Sequence, residues 1–138
     1  MTTLKQDYLE TIFDFKKLIN TEFGRGKSDS LSLTDLLMLE GIKNGESSIE
    51  LSNRLNLTKA AVSQNTTSLE KRNLITRTIN PENRRNVILK ISEKGNRLVQ
   101  QTNNSFDDAF AKFVSEMGES DLETLLSLMK QMSTIIGK

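Results

Sequence analysis

The stretch SIELSNRLNLTKAAVSQNTTSLEKRNLITRTINPENRRNVILKIS, residues 48–92, decides the fold. Two short apolar-periodic segments lie on either side of Asn56-Leu57-Thr58, a connection with room only for a tight turn. The first predicts a helix from about Ser48 to Leu55 that buries Ile49, Leu51 and Leu55. The second predicts a helix from about Lys59 to Arg72 that buries Val62 and Leu69, with Thr58 as its N-cap. Asn73 follows where a left-handed residue is wanted, and asparagine is the usual substitute for glycine there. Residues 75–79 and 87–91 are rich in β-branched side chains and alternate apolar with polar, the pattern of strands with one buried face. Between them, Asn-Pro-Glu-Asn-Arg-Arg-Asn contains the chain's only proline, Pro81, which fixes a turn. Helix, tight turn, helix and hairpin make a winged helix-turn-helix.

The flanks extend this plan. Leu4, Tyr8, Ile12, Phe15 and Ile19, widened by Leu9, Phe13 and Leu18, predict a helix over residues 4–23. "FGRGKSDS" breaks it with two glycines and small polar residues. In "LTDLLMLEGIKNG", Thr34 is the expected N-cap, Leu36, Leu37, Leu39 and Ile42 pack, and Asn44-Gly45 ends the helix. Beyond the hairpin, Leu98, Phe106, Phe110, Phe113 and Met117 predict a long helix from about Glu93 to Glu116. Gly118 then breaks the chain, and Ser120 caps a last helix with Leu122, Leu125, Leu126, Met129 and Met132 on its apolar side. The fold class is mainly α with a small β-hairpin wing.

Composition narrows the function. The 138 residues are enough for one domain with a real core. Hydrophobic residues are 36% and aromatics 5%, and no apolar run approaches the roughly 20 residues that span a bilayer. The first residues, "MTTLKQDYLE", lack the basic-then-apolar pattern of a signal peptide, so a cytoplasmic location and no membrane partner are expected. There is no cysteine and no histidine. A thiolate metal site, a cysteine redox switch, the commonest general base and the commonest metal ligand are therefore all missing. With no glycine-rich phosphate loop and no metal-ligand spacing either, the expectation is a protein that is not an enzyme and has no metal or cofactor.

The net charge of +1 is unevenly spread. From Arg54 to Arg97 there are ten basic residues against three acidic ones, a net of +7. The rest holds nine basic and fifteen acidic residues, a net of −6. A basic middle between acidic ends is the electrostatic footprint of a nucleic-acid binder.

The run from Leu33 to Gly95 resembles the MarR (multiple antibiotic resistance regulator) family of bacterial transcription factors. The resemblance lies in Leu55-Asn56-Leu57-Thr58 at the turn, Val62-Ser63 in the second helix, Leu69 to Ile75 with Asn73 in place of the family's glycine, and the hairpin. The flanking helices extend it over nearly the whole chain. The resemblance implies a sequence-specific regulator, expected to act as a repressor, that binds a pseudo-palindromic double-stranded DNA operator as a homodimer. One domain over residues 1–138 would then comprise a DNA-binding region at 33–92 and helical dimerisation regions at 1–23 and 93–138. It further implies that Arg85 at the hairpin tip enters the minor groove with Arg84 on a neighbouring phosphate. Asn83 stands where family wings carry an aspartate, so it offers the arginine a neutral hydrogen bond in place of a salt bridge. A small organic effector is a further implied partner; Tyr8, Lys16, Arg25 and the phenylalanines are candidates for its cleft, although core is the expected place of each.

The residues support a DNA-binding reading on their own account. If Val62 and Leu69 face the core, Lys59, Ala60, Ser63, Gln64 and Thr67 point outward. One cation among small or polar side chains allows close approach to base edges in the major groove. Gln64 can pair with adenine, Ala60 can meet a thymine methyl, and Ser63 suits either base type. Thr58 is first an N-cap and second a phosphate contact. Lys71, Arg72 and Arg77 are expected on phosphates or as ordinary surface. The alternative is a winged-helix module that binds another protein without sequence-specific DNA binding, a use this fold also has.

Overall fold

A computed structural model describes residues 3–22, 30–83 and 87–137. Six helices and one hairpin follow in the order α1 (Leu4–Glu22), α2 (Leu33–Lys43), α3 (Ser48–Leu55), α4 (Lys59–Lys71), β1 (Ile75–Ile79), β2 (Val87–Ile91), α5 (Glu93–Met117) and α6 (Glu119–Ile136). The strands pair antiparallel, with Ile75 opposite Ile91 and Ile79 opposite Val87. Both strands have the bounds that the alternation predicts. The chain forms two compact units that divide within α5, residues 1–102 and 103–138.

In the first unit the core is aliphatic. Leu36, Met38, Leu39 and Ile42 of α2 are buried, as are Leu51 of α3, Val62 and Leu69 of α4, Leu74, Ile75 and Leu89 around the hairpin, and Val99 of α5. Gly95, in the first turn of α5, is also buried; a methyl group there would run into the Leu74 carbonyl oxygen and the Ile91 side chain. Backbone cannot yield as a flexible side chain does. Gly95→Ala is therefore expected to destabilise the fold by about 1–3 kcal/mol, the usual cost of overpacking, read as a lower urea midpoint. An unchanged midpoint would show that α5 shifts freely against the hairpin.

Local signals differ from expectation at three places. The N-cap of α2 is Ser32, not Thr34. Ser32 Oγ accepts the Asp35 N–H (3.0 Å) while the Asp35 carboxylate accepts the Ser32 N–H (3.2 Å), a reciprocal box closed by an aspartate. The N-cap of α6 is Gly118, not Ser120. A single residue separates α5 from α6, so the break needs φ +92°, which glycine adopts without strain. Ile49, expected in the core, is 62% exposed, because Leu51 takes the inward position of α3 and Leu55 is only half-buried.

Two surfaces are left without cover. Every described residue of α1 up to Thr21 is exposed, including Leu9, Ile12, Phe13 and Leu18. In the second unit only Leu122 of α6 is buried, while Leu126, Leu128, Met129, Met132, Ile135 and Ile136 are exposed. Phe106 and Phe110 of α5 stack on each other at 6.2 Å. Among the described residues no helix is long and apolar enough to cross a membrane.

Candidate nucleic-acid interface

The turn between α3 and α4 is built by side chains as much as by backbone. Asn56 closes α3 in the left-handed region (φ 54°, ψ 47°), a role asparagine tolerates better than other side chains. Ser52 Oγ donates to the Leu57 carbonyl (2.6 Å) across that turn. Thr58 then caps α4 as expected, its Oγ1 accepting the Ala61 N–H at 3.0 Å. Asn73, beyond the other end of α4, takes the expected left-handed conformation with φ 63°.

Within α4, Val62, Thr66 and Leu69 face the core at helical spacing. Lys59, Ala60, Ser63 and Gln64 are exposed, and Thr67 is half-buried at the edge of the same face. The side chains of Lys59, Ser63, Gln64 and Thr67 have no hydrogen-bond or ion-pair partner among the described residues. They are polar groups with unspent donors and acceptors.

The arginines of the basic segment divide differently. Arg54 donates from Nε to both carboxylate oxygens of Glu46 (2.9 and 2.8 Å) and from Nη2 to the Leu37 carbonyl. The hydrogen bonds to the Glu46 carboxylate, aided by its charge, raise the Arg54 pKa above its ordinary value. Arg77 donates to the Thr66 hydroxyl (3.0 Å) and lies 3.8 Å from Glu70. Thr66, only 3% exposed, passes this on by donating to the Ser63 carbonyl (3.0 Å). Arg72 is held by Asp35 and Ser30. Arg72 and Arg77, expected on phosphates or as surface, are thus bound into the fold, and Thr66 is a buried polar link that apolar periodicity gave no signal for.

A cleft of about 220 Å³ opens between α3, α4 and the hairpin. Lys59, Ser63 and Arg77 line it together with the apolar Ile49, Val62 and Leu89. This explains the position of Ile49, which borders the cleft. At the hairpin turn, the Asn80 side chain accepts the Glu82 N–H (3.0 Å) and its carbonyl accepts the Asn83 N–H (3.2 Å). The expected wing contacts Arg84 and Arg85, and the candidate cleft residue Arg25, lie outside the described residues. Tyr8 and Lys16 are both exposed on α1.

A helix-turn-helix whose second helix has a polar outer face, followed at once by an antiparallel hairpin, is the architecture of a winged helix-turn-helix. Residues 31–87 match the model of the MarR family. Among solved structures, the transcriptional regulator BldR from Sulfolobus solfataricus is similar over 98% of this chain and 100% of its own, at 23% identity and a TM-score of 0.67. Bordetella bronchiseptica BpsR, whose DNA binding is regulated by 6-hydroxynicotinic acid, is similar over 95% of this chain and 93% of its own, at 14% identity and a TM-score of 0.75. A mutant of S. aureus MepR bound to an oligodeoxyribonucleotide is similar over 98% of this chain and 99% of its own, at 19% identity and a TM-score of 0.60. At these identities the likeness is one of fold. No curated protein matches the sequence.

Proposed function

We propose that this chain is a homodimeric repressor that reads a pseudo-palindromic operator in double-stranded DNA. The observation that carries the reading is the outer face of α4, where Lys59, Ser63, Gln64 and Thr67 stand unpartnered among the described residues beside exposed Ala60. Their place at and beyond the capped N-terminus of α4 is the one that enters a major groove. Thr58 and the helix N-terminus take a phosphate, while Arg84 and Arg85 serve the minor groove and the backbone beside it. The uncovered apolar faces of α1 and α6 support the dimer, since lone soluble chains seldom expose contiguous patches of that kind. Two α4 helices would then meet half-sites about one helical turn apart, some ~34 Å.

The test is a mobility shift on duplex from upstream of the protein's own gene, at several salt concentrations. With about six phosphate contacts the affinity should fall on the order of 10³-fold between 50 and 200 mM salt. No shift, or a shift indifferent to salt, would favour the protein-binding module instead. A small organic acid as effector is a further part of the proposal. It is supported by the cleft that sets Lys59 against the apolar walls of Ile49, Val62 and Leu89 and by the fold likeness to BpsR. Adding 6-hydroxynicotinate or benzoate to the same assay checks it: loss of the shift supports an acid effector, and an unchanged shift across such acids rejects one.

A further inference from the structure

Three elements of the first unit are pinned together at the C-terminal end of α4. Arg72 is the C-cap residue there (φ −84°, ψ 3°). Its guanidinium donates from Nη1 to Asp35 Oδ2 (3.1 Å) and from Nη2 to the Ser30 carbonyl (2.8 Å). Asp35 Oδ2 is itself held, since it accepts the Ser32 N–H in the capping box that starts α2. On its other side the Arg72 carbonyl accepts from Lys94 Nζ (3.3 Å), and the next carbonyl, of Asn73, accepts from Ser92 Oγ (2.6 Å). The start of α2, the end of α4 and the start of α5 therefore meet at residues 72 and 73. Along the chain, α2 follows α1, and α5 runs on into the second unit.

We propose that Arg72 is a positioning residue, and that its fork on Asp35 and Ser30 sets the angle at which α4 is presented to DNA. The inference rests on the DNA-binding reading above. Its physical basis is leverage. The thirteen residues of α4 span roughly 20 Å, so a tilt of about 10° at the C-terminal end moves the first turn by roughly 3 Å. That displacement is as long as a hydrogen bond, and the base-facing residues from Lys59 to Gln64 sit at the far end of the lever. A partly exposed ion pair adds little stability by itself. Its directional, two-pronged geometry is what a lysine ammonium cannot reproduce.

The test uses full-length Arg72→Gln, Arg72→Lys, Asp35→Asn and the double variant Arg72→Gln/Asp35→Asn on the duplex that the wild type shifts. Affinity is counted per active protein by stoichiometric titration, at several salt concentrations and well below the unfolding midpoint. Each single variant should bind about tenfold more weakly, a typical coupling between two linked sites. The salt slope should stay at the wild-type value, and the double variant should be no weaker than the singles, as for partners in one interaction. If Arg72 were instead a phosphate contact, Arg72→Gln would lower the slope by about 0.9 per subunit. Asp35→Asn would then bind as tightly as wild type or more so. Either result overturns the inference. A fall in unfolding midpoint with unchanged affinity per active protein also overturns it, leaving Arg72 a purely structural clamp. Should Arg72→Gln fail to fold, Arg72→Lys and Asp35→Asn decide by the same criteria. A wild-type chain that shifts no duplex refutes the DNA-binding reading itself, and this inference with it.

Discussion

Substitution of Ile12 in α1 or Met129 in α6 by glutamate is expected to turn a dimer into monomers and to weaken operator binding about 10²–10⁴-fold. Ile12 is 46% exposed and Met129 51% exposed within one chain. In a monomer such surface changes alter stability by no more than about 0.5 kcal/mol. In a dimer that covers these faces, each glutamate must be buried without a partner or the interface must open. Opening the interface removes the second half-site contact, and the avidity goes with it. Sedimentation at micromolar concentration should give twice the 15.6 kDa chain mass for the wild type and the single mass for the variants. A wild type that sediments as a well-folded monomer would refute the dimer. Variants that remain dimeric would show that two copies meet through other surfaces.

The other large effect separates helix from wing. Gln64 stands on the exposed face of α4, and in the major groove every base pair is distinguishable. Gln64→Ala should cost roughly 1–3 kcal/mol at one base position and relax the preference there, leaving other positions as before. Arg85→Ala should weaken all operators, most of all those with A·T-rich flanks, because the minor groove shows only A·T against G·C and its narrow tracts attract a cation. Arg84→Ala should lower the salt slope by about 0.9 per half-site. Binding of all three variants to a set of operators that differ in sequence and flank, over a range of salt, distinguishes these outcomes. If Arg85→Ala binds like wild type, the hairpin arginines are solvated surface. If Gln64→Ala keeps the wild-type preference at every position, α4 is not reading bases through that side chain.

Local patterns in the sequence were sufficient wherever a single element's own chemistry decides the outcome. Both strands have the bounds that period-two alternation predicts, but only β2 turns every second side chain inward; β1 buries Ile75 alone and leaves Ile79 60% exposed, because nothing in the first unit covers the far end of that strand. Thr58 as N-cap and Asn73 in the left-handed region were equally legible, since each depends on its own side chain and the backbone within three residues. The outward set on α4 followed from placing Val62 and Leu69 inward, because helical geometry leaves no freedom once one face is assigned. Ser32 was legible too, since Ser32 and Asp35 have the spacing of a capping box; Thr34 competes with it as a capping residue but has no acid three places on to close such a box. Ile49 was misplaced because on a two-turn helix several apolar residues compete for one inward position, and packing against the rest of the unit chose Leu51. Tertiary structure alone sorted the arginines. Arg54, Arg72 and Arg77 have the same composition signature as a DNA-binding cation, yet each is tied to Glu46, Asp35 or Thr66 of a separate element or turn. A charge count sums side chains regardless of what they touch, whereas Arg54 and Arg72, each already engaged by a carboxylate and a carbonyl, have little left to offer a phosphate.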